Sequence, residues 1–175
     1  IGELASGVAH DLNTPLGAIK SGMDNVNYTL DVLFKKVLPL CSSEDIQYAF
    51  SRTINADFEL FVGGVQMKRE KEQFLKLIGE LNVNIKKSEL NEIAMLMVKN
   101  RIDILEIKEV LFILNSKDPI LLLNLMYHVH LVFSFLKTIA NSGYRASQVV
   151  QNLRLFIREK RNTELGTVSI KNNIE

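Results

Sequence analysis

Apolar residues recur at steps of three and four along Leu4, Val8, Leu12, Leu16, Ile19, Met23, Val26, Leu30, Leu33 and Val37. That period places them on one face of a single long amphipathic helix, because strand side chains would alternate every second residue. The helix also contains the run GVAHDLNTPL, Gly7 to Leu16, whose histidine is off the stripe. At about 100° per residue, His10 lies roughly 200° from both Val8 and Leu12, in a row with Glu3, Thr14, Gly17, Ser21 and Asp24. The periodicity therefore predicts a histidine facing water.

The neighbours of His10 suit chemistry on an imidazole. A neutral imidazole is a nucleophile near neutral pH, and a carboxylate bonded to one ring nitrogen fixes the tautomer and raises the basicity of the other. Asp11 is the available carboxylate. Thr14, four residues on, shares the histidine's face and can hold a water or a phosphoryl oxygen, and Asn13 flanks the same site. Pro15 has no amide hydrogen to donate to the Asp11 carbonyl, so the helix is expected to bend or loosen there. The plain alternative is a surface histidine with no role.

These residues carry a resemblance. The run GELASGVAHDLNTPLGAI, Gly2 to Ile19, closely resembles the phosphoacceptor H-box of sensor histidine kinases, in their dimerisation and histidine-phosphotransfer domain. A second segment, ASQVVQNLRLFIRE, Ala146 to Glu159, looks like the second helix of that domain. The resemblance implies that His10 accepts the γ-phosphoryl group of ATP and passes it to an aspartate of a response-regulator receiver domain. Asp11 would orient and activate the ring, and Thr14 fits the position that places water for the phosphatase reaction. Asp11 stands where glutamate is more common, shortening the reach by one methylene. ATP and magnesium would be bound by an ATP-binding domain of the same protein, and the chain itself would hold no cofactor and no metal. The alternatives are a stand-alone histidine phosphotransfer relay and a non-catalytic helical dimerisation scaffold.

Composition is consistent with a compact helical protein. The 175 residues are 47% hydrophobic and 23% charged, enough for a core, and only three prolines and nine glycines punctuate them. A net charge of +1 argues against a dedicated nucleic-acid binder, for which a basic stripe is expected. Cys41 is the single cysteine, which excludes an internal disulfide and suits a cytoplasmic setting, with the parent protein free to be membrane-anchored. The chain begins inside a helical pattern and reads as an excised fragment, with NTELGTVSIKNNIE resembling the join to the missing ATP-binding domain. The stretch Ile120–Phe135 is too short for a membrane span and carries Asn124, His128 and His130, so it reads as a core helix with core or edge histidines.

The expected fold is all-α: an antiparallel hairpin of long helices forming a dimeric four-helix bundle, with a small helical subdomain inserted. Residues 1–40 form the first helix, ending near Pro39, and residues 41–117 the insertion, far longer than an ordinary helix-to-helix connection. Residues 118–162 form the second long helix, its family-like part about 138–162 and its end near Arg161. Residues 163–175 form the junction. Within the insertion, SSEDI, Ser42 to Ile46, offers an N-cap serine with acids in the first turn of a helix running to about Leu60, Gly63 and Gly64 break it, and a further helix covers Lys68–Leu81, with Phe74, Leu75, Ile78 and Leu81 inward. An apparent repeat at an offset of 17 aligns Ile85, Glu89, Leu90, Glu92, Ile93, Leu96 and Met97 with Ile102, Glu106, Ile107, Glu109, Val110, Ile113 and Leu114. Two copies fall short of a solenoid, and chance likeness of two amphipathic helices is the simpler account. The functional account is a platform for a ligand or partner protein. The expected assembly is a homodimer.

Overall fold

Pro39 and the pair Asp118–Pro119 set the ends of the two long helices, because proline removes a helical donor in one place and suits the first helical position in the other. The structure is a computed structural model. It describes the backbone of residues 2–54, 63–81 and 83–171 and the side chains of residues 7–53, 63–81 and 83–158. Among the described residues six α-helices follow one another: α1 Gly2–Val32, α2 Ser43–Ile54, α3 Gly64–Glu80, α4 Leu90–Lys99, α5 Ile107–Leu114 and α6 Pro119–Lys171. Among the described residues there is no strand. The chain is all-helical, as the periodicity requires.

After Val32, α1 widens into a π turn, Leu33–Val37, then tightens into a 3-10 turn, Leu38–Leu40, and the chain becomes extended at Cys41. At the start of α2, Asp45 N–H donates to Ser42 Oγ at 3.1 Å. In return, Asp45 Oδ2 accepts from the Ser42 hydroxyl at 2.7 Å and the Ser42 amide at 3.2 Å. This is a reciprocal capping box with aspartate in the acidic position. The described part of α2 ends at Ile54, and the continuation expected to Leu60 lies outside the described residues, as do Leu4 and Glu3 as side chains. α3 starts at Gly64, four residues before Lys68. Asp118 Oδ1 accepts from the Leu121 amide at 2.9 Å, capping α6 as expected.

One expectation is corrected. α6 continues to Lys171, so residues 162–171, read as a junction beyond a helix end near Arg161, are helical. No proline lies in that stretch, and the lone Gly166 costs about 1 kcal/mol relative to alanine, too little to stop a helix already nucleated.

The chain divides into two compact units, each containing part of α1 and part of α6. One comprises α1 up to Met23 with α6 from Lys137 onward, and the other is Asp24–Leu136. The second unit holds the packed core. Three successive helices contribute the same i, i+3, i+4 triad: Ile93, Leu96 and Met97 from α4, Val110, Ile113 and Leu114 from α5, and Leu122, Leu125 and Met126 from α6. Phe74 and Ile78 of α3, Ala49 of α2, and Leu33 and Val37 of the π turn complete it, with Leu75 and Leu81 packed partly buried against it. The 17-residue repeat thus has a spatial counterpart. α4 and α5 start at Leu90 and Ile107, and the buried triads occupy matching positions.

Polar groups fasten the end of α4. Asn100 is buried, and its Nδ2 donates to the carbonyls of Leu96 and Leu123, each at 2.9 Å. The amides of Arg101 and Ile102 donate to the carbonyls of Val98 and Met97 at 3.0 and 3.1 Å, a Schellman closure. Arg101 takes the left-handed position usually given to glycine, at φ 54°, and its guanidinium lies 3.8 Å from Glu70 Oε2. Arg52 of α2 donates to the Glu109 carboxylate and, at 3.2 and 3.4 Å, to the carbonyls of Asn100 and Arg101. Glu109 also accepts the Tyr48 hydroxyl at 3.1 Å. Burial, then the adjacent Glu109 charge, push the Tyr48 phenol well above its ordinary range.

His128 and His130 fall where expected. His128 is half-buried and its Nδ1 donates to the Asn124 carbonyl at 2.7 Å. His130 is buried, with Nε2 3.4 Å from Ser134 Oγ. Burial first, then the charges of Arg52 and Arg101, lower its pKa. By length and composition, Pro119–Arg158 of α6 could cross a membrane, although Leu122, Leu123, Leu125, Met126 and Val129 are buried in the protein core.

Two predictions follow from this packing. Ile113→Ala should lower the unfolding free energy by about 2–5 kcal/mol, whereas Leu105→Ala should change it by no more than about 0.5 kcal/mol; Ile113 is fully buried and Leu105 is 82% exposed. Urea unfolding of both variants checks this. A histidine whose folded pKa lies below its unfolded value stabilises fully above the unfolded value of about 6.5, and that contribution fades as pH falls toward the folded value. The thermal midpoint should therefore drop as pH falls below about 6.5, and His130→Gln should reduce that drop. Calorimetry across the range measures both slopes.

Candidate functional site

The first half of α1 is amphipathic in a specific register. Val8, Leu12, Ala18, Ile19 and Val26 are half-buried and Pro15 and Gly22 are buried; with Ala18 set at the edge, the covered positions step four, three, four, three, four. That alternation is the seam spacing of paired helices. On α6 the covered positions are Ile139, Ser142, Gly143, Ala146, Val149 and Leu153. The part of α6 after Lys137 shares its unit with this part of α1, which fits a hairpin of the two terminal segments.

The register corrects the sequence reading in detail. Leu16 and Met23, placed on the apolar stripe, are 52% and 54% exposed, and Pro15 and Gly22 take their places one residue earlier. On α6, Phe156, which continues the apolar spacing of Ile139, Ala146, Val149 and Leu153 in the sequence, is likewise exposed. Simple counting at steps of three and four accepts a stripe wider than the covered seam. Leu16 and Met23 lie some 60–80° to its side, where helical geometry leaves them uncovered.

His10 stands opposite the seam, roughly 160° from its centre. His10, Asp11, Asn13 and Thr14 are all exposed. Thr14 Oγ1 donates to the His10 carbonyl at 3.3 Å, so its hydrogen is committed to the main chain while its lone pairs face solvent. The His10 ring and the Asp11 carboxylate make no hydrogen bond with each other, because consecutive helical side chains point about 100° apart. Pro15 is the buried member of the group, and α1 runs unbroken through it. The structure thus brings His10 and Thr14 together on one wet face, with Asp11 and Asn13 to either side and Pro15 turned inward.

What this arrangement can do is limited by its openness. An exposed imidazole beside a carboxylate and a hydroxyl can accept or release a group carried by another protein, but the helix surface supplies no enclosed substrate pocket. Among the described residues, no cluster of three or more histidine, cysteine or acidic side chains could hold a metal ion. No protein-family model, no curated protein and no solved structure matches the chain.

Proposed function

We propose that this chain is the phosphoacceptor and dimerisation domain of a two-component sensor histidine kinase, with His10 as the residue phosphorylated. The observation that carries the reading is the placement of His10: exposed, opposite the covered seam of α1, in the run that resembles an H-box. An ATP-binding domain of the same protein supplies ATP with magnesium. A ring nitrogen of His10 attacks the γ-phosphorus, the bond to the β-phosphate oxygen breaks, and ADP leaves. Asp11, exposed beside His10, is the carboxylate that takes up the ring proton, once both side chains rotate toward each other from the diverging directions they hold here. A receiver-domain aspartate then attacks the phosphorus and the imidazole leaves unchanged.

Thr14 acts in the reverse direction of signalling. Its hydroxyl hydrogen is donated to the His10 carbonyl, so toward a water it serves as acceptor. That leaves the water's own lone pair free to attack the regulator's aspartyl phosphate.

The assembly is a homodimer in a cytoplasmic setting, with no nucleic-acid partner. Leu16 and Met23 on α1, and Val150 and Ile157 on α6, each seven residues apart, are exposed beside the covered seams. A seven-residue apolar repeat is the spacing a helix presents to a second pair of helices. A second copy of the hairpin covers these four positions in a four-helix bundle.

Incubation with the cognate ATP-binding domain, magnesium and γ-labelled ATP tests the reaction. An acid-labile label is expected on the wild type and none on His10→Gln; an unlabelled wild type, or equal labelling of both, would overturn the proposal. Thr14→Ala should keep the label on His10 while slowing regulator dephosphorylation by about tenfold or more. Thr14→Ser should restore it. Light scattering should give a dimer for the wild type and a monomer for Val150→Glu/Ile157→Glu.

A further inference from the structure

The second unit contains a feature that the phosphoacceptor chemistry does not use. Leu30, Leu33, Phe34 and Leu38 from the end of α1 and its π and 3-10 turns, Ile46 and Phe50 from α2, and Val129, Val132 and Phe133 from α6 line a half-open apolar cavity of about 500 Å³. We propose that it is a binding site for a small, uncharged hydrophobic molecule, an inference that stands independently of the function of His10.

The cavity is built from the core outward. Leu33 and Val129 form its floor and are almost fully buried, whereas Phe34 and Phe133 stand at its rim, 64% and 39% exposed. Its size lies within the range of about 300–1,000 Å³ found for sites that take small ligands. Protein interiors are otherwise close-packed, and an unfilled hollow forfeits the dispersion contacts of its walls. Water is a poor filling, because it needs two to four polar partners and every lining side chain is a hydrocarbon. A charged ligand would lose its hydration without compensation. Those conditions select an uncharged molecule of mostly carbon.

The backbone adds a second, independent observation. Two of the lining residues, Leu33 and Phe34, lie in the π turn that ends α1. Such turns insert an extra residue into the helical spiral, are rarely retained without reason, and concentrate at functional sites. Here the turn carries Leu33 at the floor and Phe34 at the rim of the same hollow.

A protein partner is the less fitting occupant. A stable protein interface buries about 800 Å² on each side and carries a polar rim, whereas this hollow is concave and walled by side chains from three helical segments.

Titration with N-phenyl-1-naphthylamine, a neutral probe that fluoresces in apolar surroundings, tests the site. Saturable binding of one probe per chain is expected for the wild type, with affinity weakened by about tenfold or more in Val132→Phe, which fills the cavity, and in Phe34→Asp, which puts a charge on its rim. Circular dichroism establishes that each variant is folded; should Val132→Phe not fold, Phe34→Asp decides, since its side chain is exposed. 1-Decanol should displace the probe far better than decanoate. Absence of saturable binding, or wild-type binding by the folded variants, would sink the proposal. Equal displacement by decanoate would overturn the uncharged class, and a change of molecular mass in Phe34→Asp would reassign the hollow to a contact between copies.

Discussion

Alternating steps of four and three from Val8 to Val26 decide which way every other residue of the first half of α1 faces. Once Pro15 and Gly22 are fixed inward, His10 and Thr14 have no choice but the opposite side, since each residue adds about 100° of rotation. The exposed imidazole is thus a consequence of apolar burial elsewhere on the same helix. Asp11 and Asn13 follow from the same geometry, one to either side. Pro15 is instructive because it takes part twice: it removes a helical donor next to the histidine, and it is the covered side chain at that level of the seam.

The second unit rests on different physics. Its core consists of large aliphatic triads, and its polar interior is concentrated at the end of α4. That end exposes carbonyls with no partner inside the helix. Asn100, the Schellman closure and the Arg52 guanidinium satisfy or approach them. Glu109 then balances Arg52 and accepts Tyr48, so α2, α4 and α5 are tied through one cation. Removing one member of a partly buried pair costs more than the pair contributes, because the remaining charge loses hydration and partner together. The left-handed Arg101 is tolerated within this network, where a non-glycine residue otherwise costs about 1–2 kcal/mol.

How much of this was legible in the sequence depends on the kind of signal. Caps and stops were readable because they act through one or two residues: Asp118–Pro119 starts α6 and Ser42 with Asp45 starts α2 as chemistry dictates. The water-facing side of His10 was readable from periodicity alone. The seam register was not, because Leu16 and Met23 are as apolar as the positions that are covered, and only the packed partner selects Pro15 and Gly22. The cavity was equally invisible. Leu33, Phe50 and Val129 are far apart in sequence, and nothing in their composition distinguishes a filled core from a hollow one. The end of α6 was misread for a different reason: NTELGTVSIKNNIE was read by its resemblance to a domain junction, and helix propensity alone separates a junction from a continuing helix weakly.

The covered residues of the two units differ in size, and this bears on how each can behave. Along the seam of the first unit, half-buried Val8, Leu12, Ile19, Ile139, Val149 and Leu153 alternate with the smaller Pro15, Gly22, Ser142, Gly143 and Ala146, so less hydrocarbon leaves water per turn than in the second unit. The second unit buries isoleucine, leucine, methionine and phenylalanine at nearly every core position. Large interlocking side chains hold one rotation and one height, whereas small ones allow neighbouring helices to rotate or slide at modest cost. The second unit is accordingly the rigid one. In the first unit Leu16, Met23, Val150 and Ile157 stay exposed beside the seam.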